Sequence, residues 1–346
     1  MQERHTGGGQ ESNHREERNE MESSKKYMVS ICCLTFNHEP YIRKALDSFL
    51  MQKTTFPFEI VIHDDASTDG TADIIREYQE NYPDIVHSLC QEENQYSKGI
   101  SNISGVFNFP RAQGKYIAMC EGDDYWSDPY KLQKQVDYME QHPDCTLCFH
   151  AADIVSEDQA FRSREIRPYE ESRICTPEDV IDKKANYPTA SLLFPAKFVK
   201  HLPRYYFDCP VGDIPLQLHL IAHGYAYYMD EHMSVYRQGV SVSWSEQMER
   251  GNYEEKLKQH HEKMKLMFQG FEEQTGGKYH EAVKSAIGRM DFLTQLNVRH
   301  YRQAKAPKFR KYYRELPLLT RVLIDVEVYC PWLYRLMRKV WYRMQK

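Results

Sequence analysis

The chain has 346 residues, 41% hydrophobic and 27% charged, with a formal net charge of −5. That is enough apolar material for a globular core and enough length for one catalytic domain with an extension. No apolar run approaches the roughly 20 residues that span a bilayer, the N-terminus lacks a signal peptide's apolar stretch, and nine cysteines, an odd number with several inside strand-like runs, read as reduced core residues of a cytoplasmic protein.

Residues 1–26 are rich in Gly, Glu, Arg and Asn with almost nothing apolar, a composition that predicts disorder. The run from Met28 to Leu34 predicts a first strand, ending in Thr35-Phe36-Asn37-His38-Glu39. From Pro40 to Gln52 the apolar residues Ile42, Ala45, Leu46, Phe49 and Leu50 recur at helical spacing. A second strand, Phe58 to His63, runs into Asp64-Asp65-Ala66-Ser67-Thr68-Asp69-Gly70-Thr71, and a helix from Ala72 to Tyr82 follows. Tyr116 to Cys120, bounded by Gly114 and Gly122, predicts another strand. It ends in Glu121-Gly122-Asp123-Asp124-Tyr125-Trp126, and the next helix opens after Pro129 with Asp128 as its cap. Strand, polar turn and helix repeat from Met28 through Gln141, which argues for a largely parallel sheet with covering helices.

The last of these turns places three carboxylates within four residues. Like charges so close repel unless a cation lies between them. A hard divalent ion with oxygen ligands, Mg²⁺ or Mn²⁺ with a diphosphate, meets that requirement; a solvated acidic turn opening the next helix is the plainer reading. The Asp64–Thr71 turn offers carboxylates, hydroxyls and a glycine at a strand's C-terminal end, where open α/β sheets bind ligands. It feeds a helix whose free N–H groups favour acceptors, although Ser67, Thr68 and Asp69 are also ordinary capping residues.

These residues resemble family 2 glycosyltransferases of the GT-A fold. That family carries a V-S-I-x-x-x-T-[YF]-N opening, a D-D-x-S-x-D-G-T turn and a G-x-Y-I-A strand running into an acidic metal motif. Here they stand in order as Val29–Asn37, Asp64–Thr71 and Gly114–Trp126. The resemblance is specific from Tyr27 to Ser245 and fades beyond. It implies an α/β, Rossmann-like GT-A catalytic domain over residues 27–245, with a nucleotide-sugar half over about 27–127 and an acceptor half over about 128–245. Residues 246–346 are then a helical, basic extension.

The resemblance also implies roles. Thr35, Phe36 and Asn37 lie at the first nucleotide-binding strand end, with Phe36 packing on the base. Asp65 accepts the N–H of a uracil ring, a role suited to an ionised, acceptor-only carboxylate. Asn94, Lys98 and Asn102 lie where further polar contacts to nucleotide or sugar are expected, Lys98 as the diphosphate's partner. Asp123 and Asp124 match the metal motif for Mn²⁺ or Mg²⁺, one on the ion and the other on a ribose or sugar hydroxyl, and Glu121 replaces the first Asp. Val211-Gly212-Asp213-Ile214-Pro215 resembles an acidic motif usually written E-D, with Gly212 in place of Glu and Asp213 left as general base. Tyr187 to Ser191 looks like the strand end facing the sugar. Met233 to Gln238 looks like the loop closing over the diphosphate, with Gln238 and Gly239 where many relatives place a His. The implied reaction is inverting transfer from a UDP-sugar to a hydroxyl of a glycan or lipid-linked acceptor, in surface polysaccharide synthesis. A catalytically silent nucleotide-sugar or glycan-binding protein of the same fold is the alternative.

Charge is uneven along the chain. From Asn297 to Lys346, 13 Lys and Arg stand against Glu315, Asp325 and Glu327, a balance of +10 that leaves −15 on the rest. Leu333, Leu336, Met337, Val340, Trp341 and Met344 fall at helical spacing, with Arg335, Arg338, Lys339 and Arg343 largely between them. A helix from Trp332 to Met344 reads equally as an anchor on an anionic membrane surface, peripheral at its cytoplasmic face, and as a strut packed on the catalytic domain. Nucleic acid is not expected, because no recognised binding motif accompanies the charge. His38, His63, His150, His219 and His232 lack paired metal spacing, and Cys145-x-x-Cys148 lacks a second cysteine pair. No G-x-S-x-G or G-x-G-x-x-G turn is present.

Overall fold

The apolar runs of the N-terminal half become central strands because both of their faces are covered. β1 (Val29–Thr35) is buried at every position but Leu34, the pattern of a parallel strand with a layer on each side. In the computed structural model, residues 27–156, 164–183, 187–240, 248 and 251–334 are described. They form two compact units that divide between Gln247 and Met248.

In the first unit, β1 is followed by α1 (Ile42–Leu50), β2 (Phe58–Asp64), α2 (Thr71–Asn81), β3 (Val86–Cys90), β4 (Tyr116–Met119), β5 (Tyr125–Trp126) and α3 (Lys131–Gln141). Next come β6 (Cys145–Ser156), β7 (Arg164–Ile166), β8 (Arg173–Cys175), α4 (Pro177–Ile181), β9 (Leu193–Pro195), α5 (Arg204–Asp208), α6 (Asp213–Ile221) and β10 (Tyr225–Gln238). The strands make one sheet in the order β3-β2-β1-β4-β9-β6-β10-β5, with β7 on β6 and β8 on β10. The predicted parallel sheet is the β3-β2-β1-β4 half. β9 runs antiparallel to both β4 and β6, while β6 and β10 are parallel.

Register aligns the functional ends. Thr35 lies opposite Asp64, and Cys32 opposite Met119, so the chain leaves β1, β2 and β4 at one edge. The Gly122 N–H then donates to the Leu34 carbonyl at 3.0 Å. A Cβ on Gly122 would stand 2.5 Å from the Thr35 methyl group, so only glycine lets the acidic turn pass this close. Ile42, Ala45, Leu46 and Phe49 of α1 are fully buried in the core beneath, as their spacing predicts.

Two local expectations change. Asp128 does not cap α3: its carboxylate accepts the Tyr130 N–H at 2.8 Å and pairs with Lys134, closing the turn one step earlier. Met233–Gln238 is not a loop but the end of β10, laddered onto β6, with Ser234 and Val235 also paired to β5. None of the nine cysteines is in a disulfide, and seven are buried.

The second unit is helical: α7 (Tyr253–Gln274), α8 (His280–Asn297), α9 (Tyr301–Ala304), α10 (Arg310–Glu315) and α11 (Leu318–Tyr329). Buried His261 ties α7 to α8 through Asp291 at 2.6 Å and Thr294 at 2.9 Å. On α11 only Ile324 is buried, while Leu318, Leu319, Val322 and Tyr329 are exposed. Among the described residues no helix is long and apolar enough to cross a membrane. The segment 1–26, read as disordered, and most of the Trp332–Met344 helix lie outside the described residues.

Candidate active site

The β1 and β2 ends interlock. The Thr35 hydroxyl donates to Asp64 Oδ1 at 2.8 Å, and the Ser67 N–H donates to the other Asp64 oxygen at 3.0 Å. Asn37 takes a left-handed φ of 54°, a conformation that asparagine tolerates. Its N–H donates to Ser67 Oγ and its Oδ1 accepts the Thr68 N–H, both at 2.8 Å. Thr35 and Asn37 thus build the wall of the turn, with half-buried Phe36 between them.

Asp65 holds the next loop. Its two oxygens accept the N–H groups of Gln95 at 2.8 Å and Tyr96 at 3.1 Å, with His63 Nε2 at 3.4 Å. Burial opposes its ionisation, but these hydrogen bonds outweigh burial and hold the carboxyl below the usual carboxylate range. The Asn94 amide donates to the Asp65 carbonyl at 2.9 Å and accepts the Ser97 N–H at 2.7 Å. Lys98 pairs with Glu93, both largely in solvent. Asn102 is turned toward the segment before α6, where its amide donates to the carbonyls of Tyr206 and Cys209.

The acidic turn after β4 is different. Glu121, Asp123 and Asp124 each present an oxygen within 4.8 Å of the others, and Asp123 and Asp124 are buried. The Arg237 N–H, at the end of β10, donates to Asp124 Oδ1 at 2.8 Å, and its guanidinium Nε donates to the Asp123 carbonyl at 2.9 Å. That guanidinium lies over the ring of Tyr41 at 4.7 Å, so it braces the turn's backbone. His38 Nε2 is 3.9 Å from Asp123, and burial holds that imidazole below its ordinary value. Burial, then the charges of Asp123 and Asp213, pushes Glu121 up to about 8. Burial, then Asp123 and Glu121, raises Asp124 well above the carboxylate range. Crowded oxygen donors that resist charging together are the donor set that a hard divalent cation relieves, so the residues fit Mg²⁺ or Mn²⁺.

Asp213 is the first residue of α6, near enough for its charge to act on Glu121, Tyr206 and Lys183. Lys183 Nζ donates to Gln217 Oε1 on α6 at 2.7 Å, and burial lowers its ordinary lysine value. The structure therefore brings Glu121, Asp123, Asp124 and Asp213 into one electrostatic neighbourhood, and joins Thr35, Asn37, Asp65 and Asn94 in another network. Sequence reasoning missed Lys183 and the bracing by Arg237. Each meets its partner across a long chain separation; the Met233–Gln238 motif marked the segment of Arg237 but not its contact, and nothing marked Lys183.

Residues 30–194 match the model described as glycosyl transferase family 2. Over this segment, just under half of its length, the chain is similar to that family, and its sheet has the GT-A fold. It is 37% identical over 221 residues to an uncharacterized protein of Mycobacterium bovis, covering 62% of this chain and 60% of that protein. It is 33% identical over 133 residues to Bacillus subtilis TuaG, named as a teichuronic acid biosynthesis glycosyltransferase, covering 38% of this chain and 50% of that one. The matched region thus spans 60% or less of the length of these relatives. Among solved structures, S. aureus TarS 1-349 in complex with UDP superposes with a TM-score of 0.53 at 17% identity, over 84% of this chain and 76% of that one. The mannosyltransferase PcManGT from Pyrobaculum calidifontis, in complex with GDP-Man and Mn²⁺, gives 0.52 at 16% identity, over 93% and 85%. At such identities the likeness is one of fold.

Proposed function

We propose that this protein is an inverting, metal-dependent glycosyltransferase that moves a sugar from a UDP-sugar to a hydroxyl of a glycan or lipid-linked acceptor, in surface polysaccharide synthesis. The observation that carries this reading is the acidic cluster of Glu121, Asp123 and Asp124 with a separate carboxylate, Asp213, within electrostatic reach at a helix start. The names of TuaG and of the UDP-bound TarS support the polysaccharide and UDP parts.

In this reading residues 27–245 are the catalytic domain and 246–346 the helical extension. Asp65, held ionised, accepts the uracil N–H, and Phe36 packs on the base. Asp123 and Asp124 would hold Mn²⁺ or Mg²⁺, which when bound supplies Lewis-acid neutralisation of charge on the leaving diphosphate. Asp213 accepts the proton of the acceptor hydroxyl while that oxygen forms its bond to the anomeric carbon and the bond to UDP breaks. One base and one displacement give inversion.

Purified protein incubated with UDP-sugars and manganese should release UDP, faster with the right acceptor. Tight UDP binding without turnover on any donor and acceptor would instead assign a silent binding protein. The exposed apolar side chains of α11 and the basic tail support peripheral attachment to anionic lipid at a membrane's cytoplasmic face. Full-length protein should therefore bind anionic liposomes at low salt and be released by high salt; no binding at low salt would make the extension a strut.

A further inference from the structure

The segment 94–105 is tied at both ends. Its start hangs on Asp65 through the N–H groups of Gln95 and Tyr96. Its far end is fastened to the chain just before α6. Ser101 Oγ donates to the Cys209 carbonyl at 2.8 Å, and Asn102 Nδ2 donates to the same carbonyl at 3.1 Å and to that of Tyr206. Gly105 lies so close to Tyr206 that a Cβ there would stand 2.4 Å from the ring.

The other atom of the Asn102 carboxamide is unusual. Asn102 is 3% exposed, and its Oδ1 is buried without a hydrogen-bond partner among the described residues. Buried polar atoms are seldom left so, and each one calls for a reason. That oxygen lies 2.9 Å from the point where a Cβ on Gly212 would be. Gly212 has φ −95° and ψ −29°, a backbone that any residue adopts. Its glycine is therefore favoured by the neighbouring Asn102 carboxamide and not by the backbone. In the E-D form of this motif the position carries a Glu; here the room for its first carbon is taken by the Asn102 carboxamide.

We infer that Asn102 is a positioning residue for Asp213: its amide fixes the 206–209 carbonyls, and its oxygen abuts Gly212, setting the start of α6 from which the Asp213 carboxylate projects. This deepens the proposal that Asp213 is the base and rests on it. The donor loop and the base-bearing helix are then mechanically joined, with Asp65 at one end of the join and Asp213 at the other.

The test is a cycle of Asn102→Ala, Gly212→Ala and the double variant in the full-length protein, with UDP titration in manganese as the check of folding and nucleotide binding. Asn102→Ala should lower kcat by about 10²-fold, the loss expected when a reacting group is displaced by about an ångström, with UDP affinity unchanged. Gly212→Ala should lower kcat alone, yet add nothing to Asn102→Ala, because alanine at 102 leaves room for the new methyl group. Additive losses would overturn the inference. So would a fall in UDP affinity that matches the fall in kcat, which would make Asn102 a nucleotide contact. Amide hydrogen exchange of the 211–216 peptide gives a readout that needs no turnover. Faster exchange there in Asn102→Ala, with the 64–71 peptide unchanged, supports positioning even if wild-type protein transfers no sugar; unchanged exchange in both peptides sinks it. Wild-type turnover in Asp213→Asn would remove the base reading alone.

Discussion

At the end of β2, Asp65 is 3% exposed and accepts two backbone N–H groups; at the end of β4, Asp124 is 2% exposed and accepts one. Asp65 has His63 beside it, whereas Asp124 has Glu121 and Asp123, and more protein is packed around it. The first carboxyl is lowered and the second raised. The two turns place aspartates at the same edge of one sheet, so donor supply, neighbouring charge and depth of packing decide which is a fixed anion and which a cation would relieve. A carboxyl that accepts backbone N–H groups from a neighbouring segment stays an anion, and one left crowded is suited to holding a metal.

The largest expected effect separates Asp213 from both turns. Asp213→Asn should lower transfer by about 10²–10⁴-fold, the usual contribution of a general base, with UDP and manganese affinity nearly intact by titration. A parallel loss of UDP affinity would merge Asp213 with the crowded turn.

Lys131 extends the comparison to the opposite charge. It is fully buried at the start of α3, with Nζ 4.1 Å from the Trp126 ring and no hydrogen-bond partner among the described residues. Burial lowers it from 10.5 to about 7. The unfolded chain holds this proton up to about pH 10.5 and the folded one releases it near 7, so stability rises with pH across that window. Lys131→Met should therefore stabilise the protein most below pH 7, by about 5 kcal/mol at the pK difference of about 3.5. The gain should fade toward pH 10.5 in denaturant titrations. A gain equal at pH 6 and pH 10 would show that packing alone is responsible.

A smaller effect tests the crowded turn. Manganese at 100 times its Kd should stabilise wild-type protein by about 2.7 kcal/mol, seen as a higher Tm that EDTA reverses, and Asp124→Ala should lose most of this shift. An Asp124→Ala protein that still responds fully would leave the cation to other oxygens.

The smallest concerns the satisfied turn. Asp65→Ala should weaken UDP by about 1.5–3 kcal/mol, the range for a hydrogen bond to a charged group, and narrow the preference for UDP over ADP in calorimetry. Equal loss for both nucleotides would mean that Asp65 acts only by holding Gln95 and Tyr96.

Much of this architecture was legible in the residues. Ile42, Ala45, Leu46 and Phe49 mark a buried helix face by spacing alone, and the runs at Val29, Phe58 and Tyr116 mark strands ending in polar turns. Periodicity records which face of a local element is buried, so it also located the acidic turns at strand ends. It was silent on β9, three residues long, and on β10, whose pairing with β6 joins segments about 80 residues apart. The partners of individual polar groups were equally out of reach. Asp65 finds its donors 30 residues on, Lys98 turns to Glu93, Lys183 reaches Gln217, and Asn102 crosses more than 100 residues to Cys209. Sequence by itself determined the chemistry available at each strand end, because side-chain type and burial period are local properties. Only the tertiary structure decided which carboxylate is satisfied and which is left crowded, because hydrogen-bond donors and neighbouring charges arrive from distant chain segments once the sheet closes.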